Sequence, residues 1–176
     1  MNINEISPGS NPPQDINTII EIPALSNIKY ELCKKSNAIL VDRFVATPMH
    51  YPLNYGFIPH TLAGDGDPLD VLVVTPNSAA LLPGSVIRVR PIGALFMDDE
   101  AGGDEKIIAV PHSKISTMYD SIKETDHLPE LLKKQIEHFF LHYKDLEPGK
   151  WVKLKGWLSL SQSHDVITKA IANYTN

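Results

Sequence analysis

Asp65-Gly66-Asp67-Pro68-Leu69-Asp70 sets three carboxylates within six residues, on a stretch that resists helix formation. Pro68 fixes its own φ and pushes Asp67 toward extended geometry, while Gly66 lets the chain turn between the first two acids. Three like charges held this close repel one another, so a fold that keeps them together needs a compensating cation. Hard divalent ions such as Mg²⁺ take oxygen ligands, and the run reads as a metal site. A calcium-binding helix-loop-helix would want acids at its first, third and fifth positions and a Glu at its twelfth. Here the fifth position is Leu69 and the twelfth is Pro76, so that pattern fails. A solvated acidic turn is the plain alternative, and the rest of the chain argues against it.

Around this run the sequence is punctuated into short strands. Segments 18–22, 28–32, 39–44, 71–75, 86–91 and 106–110 are β-branched and broken by Pro, Gly or Asn. Such runs predict a closed or nearly closed β-barrel. Residues 7–14 read as an irregular arm. The last third changes period. Leu132, Ile136, Phe139, Phe140 and Tyr143 fall on one stripe of an amphipathic helix starting near Pro129. A second helix is expected near the end, with Val166, Ile167, Ala170, Ile171 and Tyr174 inward and Ser163 as its cap. No repeat or linker divides the 176 residues, which suit one domain spanning 1–176. The expected class is mainly β with α, a barrel with two helices packed outside it.

Bulk charge narrows the partners. A net charge of -5 argues against holding a nucleic-acid backbone. The single Cys33 rules out an internal disulfide and fits a reducing compartment. Met1-Asn2-Ile3-Asn4-Glu5 lacks the basic and apolar regions of a signal peptide, and no apolar run is long enough to cross a bilayer. The expected setting is cytoplasmic.

A second acidic segment, Asp98-Asp99-Glu100-Ala101-Gly102-Gly103-Asp104-Glu105-Lys106, is read as a loop between two strands. A barrel can aim two acidic loops at one mouth, where their carboxylates form a cage for several hard cations. Strand alternation puts Lys29 and Glu31 on one face, and pairs Arg43 with Val41 rather than Asp42. With Lys106 and Lys144 they supply the donors that an anionic ligand needs. Tyr51 and Tyr55 lie just before the aspartate run. Tyr143 sits on the apolar stripe, and its hydroxyl needs a partner that a phosphate oxygen would provide. Carboxylates ringed by Lys, Arg and Tyr fit a multiply charged phosphate bridged by metal ions. Phosphoryl transfer asks for positioning, charge neutralisation and an activated nucleophile. No Gly-rich phosphate loop and no feature for gripping a nucleoside is present.

Those residues resemble the family I soluble inorganic pyrophosphatases, bacterial type. The likeness is carried by Asp65-Gly66-Asp67-Pro68-Leu69-Asp70-Val71 and extends over almost the whole chain. It includes Glu21-Ile22-Pro23, Lys29-Tyr30-Glu31, Val41-Asp42-Arg43-Phe44, Asn54-Tyr55-Gly56, Asp99-Glu100-Ala101-Gly102 and His142-Tyr143-Lys144-Asp145-Leu146. The resemblance implies Mg²⁺-dependent hydrolysis of pyrophosphate to two phosphates on an OB-type five-stranded closed barrel. It implies that Asp65, Asp70 and Asp104 hold the tightest metal and that Asp70 also serves a second ion. Asp99 and Asp104 would hold a further ion that arrives with substrate. Asp67 would be the general base, and Lys29, Arg43, Tyr55, Lys106, Tyr143 and Lys144 would grip the phosphates. Glu21, Glu31, Asp42, Tyr51 and Glu100 would be supporting members. A homohexamer of two trimers is implied too; His138 and His142 on the long helix offer a subunit contact, with a polar-face histidine in water as the equal reading for His138. Mn²⁺, Zn²⁺ or Co²⁺ are possible substitutes for Mg²⁺, and Ca²⁺ is expected to inhibit.

Two other readings remain at this stage. One is a metal-dependent hydrolase of nucleotides or short polyphosphates. The other is a non-catalytic OB-type binding module, which would want a basic groove with exposed aromatics where this chain offers an acidic mouth.

Overall fold

The computed structural model describes residues 3–174, so the reading of Met1 and Asn2 lies outside the described residues. Eight strands and two α-helices follow in the order β1 (Ile16–Ile22), β2 (Ile28–Cys33), β3 (Ala38–Phe44), β4 (Asn54–Phe57), β5 (Asp70–Val73), β6 (Val86–Asp99), β7 (Gly102–Pro111), α1 (Glu130–His142), β8 (Val152–Leu158) and α2 (Leu160–Tyr174). Strands β1, β4, β5, β7 and β6 are hydrogen-bonded in that order, and β6 pairs back onto β1. The ring is a closed five-stranded barrel. All its contacts are antiparallel except β5 with β7. No helix among the described residues is long and apolar enough to cross a membrane.

Strand β6 closes the ring by pairing with β7 along one edge and β1 along the other, and is long enough for that second edge to take β8 as well. Its first half pairs with β1 from Val86 to Val89, and its second half pairs with β8 from Ala94 to Asp99. The change falls at an irregularity between Pro91 and Gly93. Gly93 has φ +145°, and a Cβ there would lie 2.7 Å from the Leu158 carbonyl oxygen, so only glycine fits the bend. Gly56 answers a similar demand, since its Cβ would meet the Ile19 carbonyl oxygen at 2.0 Å.

Strands β5 and β7 are buried on both faces, which explains their unbroken apolar runs. Leu72, Val74, Ile108 and Val110 face one cluster, completed by Ile136, Phe139 and Phe140 of α1. Val71, Val73, Ile107 and Ala109 face the other, completed by Ile167 and Ala170 of α2. The two helices thus flank the barrel as expected, each on its own cluster.

Several local expectations change. Segments 28–32 and 39–44 form strands but lie outside the ring, as a separate β2–β3 hairpin. Their faces are correspondingly open, with Val41 and Phe44 exposed. Strands β4 and β8 had no sequence counterpart, because Asn54 and Gly56 read as turn and Gly156 interrupts β8. Most of the acidic segment 98–106 is strand, leaving only Glu100 and Ala101 between β6 and β7. Ser163 does not cap α2; it lies inside the helix, buried, donating to the Leu160 carbonyl at 2.7 Å. The cap is Ser159, whose Oγ accepts from the Gln162 N–H while Gln162 accepts from the Ser159 N–H. Tyr174 points outward, stacked on His60 at 5.1 Å.

Candidate active site

The site is where the first apolar face changes chemistry. On β5, the face that carries Leu72 and Val74 continues to Asp70. On β7, Ile108 and Val110 are followed on the same side by Lys106 and Asp104, and on β6 Leu95 and Met97 are followed by Asp99. Tyr55 of β4, opposite Leu72, completes the floor. Strand alternation alone therefore brings three acids, a lysine and a tyrosine to one end of the barrel. The β2–β3 hairpin forms the side wall with Lys29, Glu31, Lys34 and Arg43, and Tyr143 and Lys144 close the other side from the end of α1.

These residues enclose a cavity of about 270 Å³, whose wall also includes Glu21, Asp65 and Asp67. Of the residues singled out from sequence, Asp42, Tyr51 and Glu100 stand behind it. Asp42 pairs with Lys29 at 3.2 Å and with Arg43 at 3.3 Å. Tyr51 is buried, its ring 5.6 Å from that of Tyr55 and 4.7 Å from that of Phe139. Glu100 holds Lys150 at 2.5 Å and Lys144 at 3.5 Å. His138 and His142 are away from the cavity, their rings 4.7 Å apart on α1.

Lys106 is the hub. It is buried, and its ammonium donates to Asp70 at 2.5 Å and to the Tyr55 hydroxyl at 3.0 Å, with Asp104 at 2.7 Å. Burial works against its charge, but Asp70 and Asp104 outweigh that and hold it protonated well above the usual lysine range. Burial also pushes Asp104 up to about 6, with Lys106 opposing and Asp70 reinforcing the rise. Glu21 is pushed up to about 7, mainly by burial, although its carboxylate accepts the Leu32 N–H at 2.7 Å. That bond ties the β2–β3 hairpin to β1. Lys144 donates to Asp99 at 2.8 Å, which keeps Asp99 below its ordinary range despite burial. Burial raises Tyr55 and Tyr143, so both present neutral hydroxyls.

The Asp65–Asp70 turn is different. Asp65 and Asp67 are exposed, and Asp65 accepts the Asp67 N–H at 3.0 Å. Gly66, at φ +91°, makes the turn. Pro68 and Leu69 carry the chain inward to Asp70.

Counting charges on the wall decides what the cavity can accept. Seven carboxylates (Glu21, Glu31, Asp65, Asp67, Asp70, Asp99, Asp104) face five basic groups (Lys29, Lys34, Arg43, Lys106, Lys144). A highly charged anion cannot enter such a wall without cations alongside it. The donor set is oxygen-only, which fits a hard divalent ion rather than a soft one. Among the described residues no three acidic side chains converge closely enough to hold an ion as they stand, and Lys106 lies between Asp70 and Asp104.

Sequence reasoning missed four wall residues, Leu32, Lys34, Phe57 and Pro68. It also missed Glu147, which approaches Arg43 at 3.4 Å from the segment after α1. Leu32 and Phe57 look like ordinary core residues in the sequence. Lys34 sits in a polar turn where charge is expected anyway, and only the position of that turn reveals it.

The inorganic pyrophosphatase family profile matches residues 18–175. The chain belongs to the inorganic pyrophosphatase family. An inorganic pyrophosphatase of Pseudomonas aeruginosa is 58% identical over 175 residues, covering 99% of both chains. One of Gluconobacter oxydans is 57% identical over 172 residues, covering 98% of both. Among solved structures, the inorganic pyrophosphatase of Thermus thermophilus superposes with a TM-score of 0.94 at 41% identity, covering all of both chains. That of Coxiella burnetii gives 0.92 at 46% identity, covering 96% of this chain and 99% of that one. The pyrophosphatase family is metal-dependent, in keeping with the excess of carboxylates around this cavity.

Proposed function

We infer that this chain hydrolyses inorganic pyrophosphate to two orthophosphates, the activity that its family membership carries, and that the carboxylate-lined cavity is where it does so. The observation that carries the assignment is the mixed wall, with its acids in excess and its basic groups set among them. The cavity volume lies just below the ~300–1,000 Å³ typical of pockets for drug-sized ligands, which favours a compact diphosphate over a nucleotide.

Asp65, Asp70 and Asp104 would hold the tightest Mg²⁺, with Asp70 shared with a second ion and Asp99 and Asp104 serving a third. Bound there, the ions would neutralise the diphosphate charge and make water easier to deprotonate. Lys29, Arg43 and Lys144 would each exchange a carboxylate partner for a phosphate oxygen. Arg43 has Asp42 and Glu147 as present partners, and Lys144 has Asp99 and Glu100. Tyr55 and Tyr143, kept neutral by burial, would donate their hydroxyl protons to phosphate oxygens. Asp67, on the open turn and free of any lysine at hydrogen-bonding distance, would take the proton of the attacking water. The proton then goes to solvent or to the departing phosphate, and the bond broken is the bridging P–O bond.

A homohexamer and a cytoplasmic setting complete the proposal. The support for the first is the likeness to bacterial relatives and the exposed His138–His142 face of α1. For the second it is the unpaired Cys33. The assay is orthophosphate release from pyrophosphate with Mg²⁺, beside ATP and a phosphomonoester. Fast release from pyrophosphate alone, abolished by chelator, is expected. Comparable release from ATP would instead favour a broader polyphosphate hydrolase.

A further inference from the structure

Lys34 is a wall residue that lies in neither the aspartate run, a strand nor the end of α1, so none of those elements explains its role. It follows β2 directly, in the turn that leads to β3, and this hairpin lies outside the barrel. Several contacts hold the hairpin beside the cavity, the Arg43–Glu147 pair from β3 among them, and two of them lie on β2 and the turn after it. At its β2 strand, Glu21 of β1 accepts the Leu32 N–H. At its turn, the Lys34 ammonium reaches to 3.8 Å from Asp67 Oδ1. Lys34 and Asp67 are both part of the cavity wall, and both side chains are more than half exposed.

We propose that Lys34 is a positioning residue for Asp67, holding the base carboxylate toward the cavity from the tip of the β2–β3 hairpin. The inference rests on the assignment of Asp67 as base. The geometry explains why the contact is long. A lysine at hydrogen-bonding distance would compete with water for the Asp67 oxygens, as Lys106 does at Asp70. At 3.8 Å the ammonium restrains the carboxylate by charge and leaves its oxygens free to accept a proton. The turn supplies what Asp67 otherwise lacks. The Asp67 backbone is fixed, its carbonyl accepting the Ala63 N–H at 2.7 Å and its N–H donating to Asp65 at 3.0 Å, but its side chain is 78% exposed, and the side chain is what Lys34 restrains.

The test is a double-mutant cycle on the Mg²⁺-loaded enzyme, with Lys34→Met, Lys34→Arg, Asp67→Asn and the Lys34→Met/Asp67→Asn pair. For an exposed pair the expected loss in Lys34→Met is about two- to fivefold in kcat. KM for pyrophosphate and the melting temperature should stay unchanged, and Lys34→Arg should restore most of the loss. In the Asp67→Asn background Lys34→Met should cost nothing further, because there is no carboxylate left to position. Three outcomes would overturn the proposal. A rise in KM at constant kcat would make Lys34 a substrate ligand. An equal loss of kcat in both backgrounds would show action independent of Asp67. Unchanged kcat in Lys34→Met would leave it no role in turnover. Full turnover in Asp67→Asn alone is a separate result, and would remove Asp67 from the base role instead.

Discussion

The two acid-bearing segments at the barrel mouth are built on opposite principles. On the β6–β7 hairpin each acid on the cavity side is matched by a lysine, Asp99 by Lys144 and Asp104 by Lys106, and Glu100 behind them is matched by Lys150 and Lys144. The Asp65–Asp70 turn has no such matching until Asp70, where Lys106 is shared with the hairpin. Asp65 and Asp67 stand open to solvent, with Lys34 at 3.8 Å the closest charge drawn to them. The hairpin settles its electrostatics within the chain, whereas the turn leaves them to be settled by ions from solution. On the proposed mechanism the preformed hairpin would supply a rigid wall, and the open turn the oxygens that entering cations and the attacking water require.

The hub that joins the two segments gives the largest test. Lys106→Met leaves Asp70 and Asp104 facing each other without their shared cation in a buried site. Breaking such a set costs roughly 3–5 kcal/mol. Turnover should disappear, and the metal-free melting temperature should fall by more than about 6 °C. A stable, active variant would mean that the segments do not depend on that lysine.

The next largest effect is expected in a pH titration. Glu21, at the barrel side of the hairpin contact, has its folded pKa raised from 4.5 to about 7. A carboxyl raised on folding favours the protonated folded state. Its stabilisation is full below pH 4.5 and is lost as pH rises through about 7. The metal-free protein should therefore melt at progressively lower temperature across that window, an effect that Mg²⁺ opposes. Glu21→Gln keeps an acceptor for the Leu32 N–H and should make the dependence shallower, leaving the part due to Asp104, which burial raises to about 6. An unchanged slope in this variant would place the titrating group elsewhere.

The smallest effect is expected at the hairpin's outer pair. Lys150 and Glu100 are partly exposed, and Glu100 is held down to about 2 by Lys150 and Lys144 against the effect of burial. Lys150→Ala should change stability by less than about 1 kcal/mol, and turnover little, because Lys144 still faces Glu100. A large loss of turnover would show that this outer pair orders the cavity.

Much of this was legible in residues whose chemistry is local. Asp65, Asp67 and Asp70 announce themselves by spacing, and Pro68 and Gly66 exclude the helical alternative. The stripe from Leu132 to Tyr143 gave α1, and the β-branched segments gave the barrel. What escaped depends on packing at a distance. Nothing in Asn54-Tyr55-Gly56-Phe57 says strand until Ile19 is seen to press on Gly56. Ser163 carries a good capping side chain, but the chain enters α2 four residues earlier, where Ser159 and Gln162 satisfy each other. Tyr174 fits the helical period yet finds His60 outside. The place of Lys34 is fixed by a hairpin that folds across the barrel mouth, and sequence periodicity does not encode that crossing.

In the proposed mechanism ions enter at the open turn and Asp67 acts beside them. Its most direct test is pyrophosphate turnover measured against Mg²⁺ concentration, for the unaltered chain and for Asp67→Asn. Asp67→Asn is expected to lose about 10²–10⁴-fold in kcat, in line with removal of a general base, while the Mg²⁺ dependence keeps its midpoint. Turnover within a fewfold of the unaltered chain would contradict the role of Asp67. A midpoint moved to much higher Mg²⁺ would make Asp67 a metal ligand rather than a base.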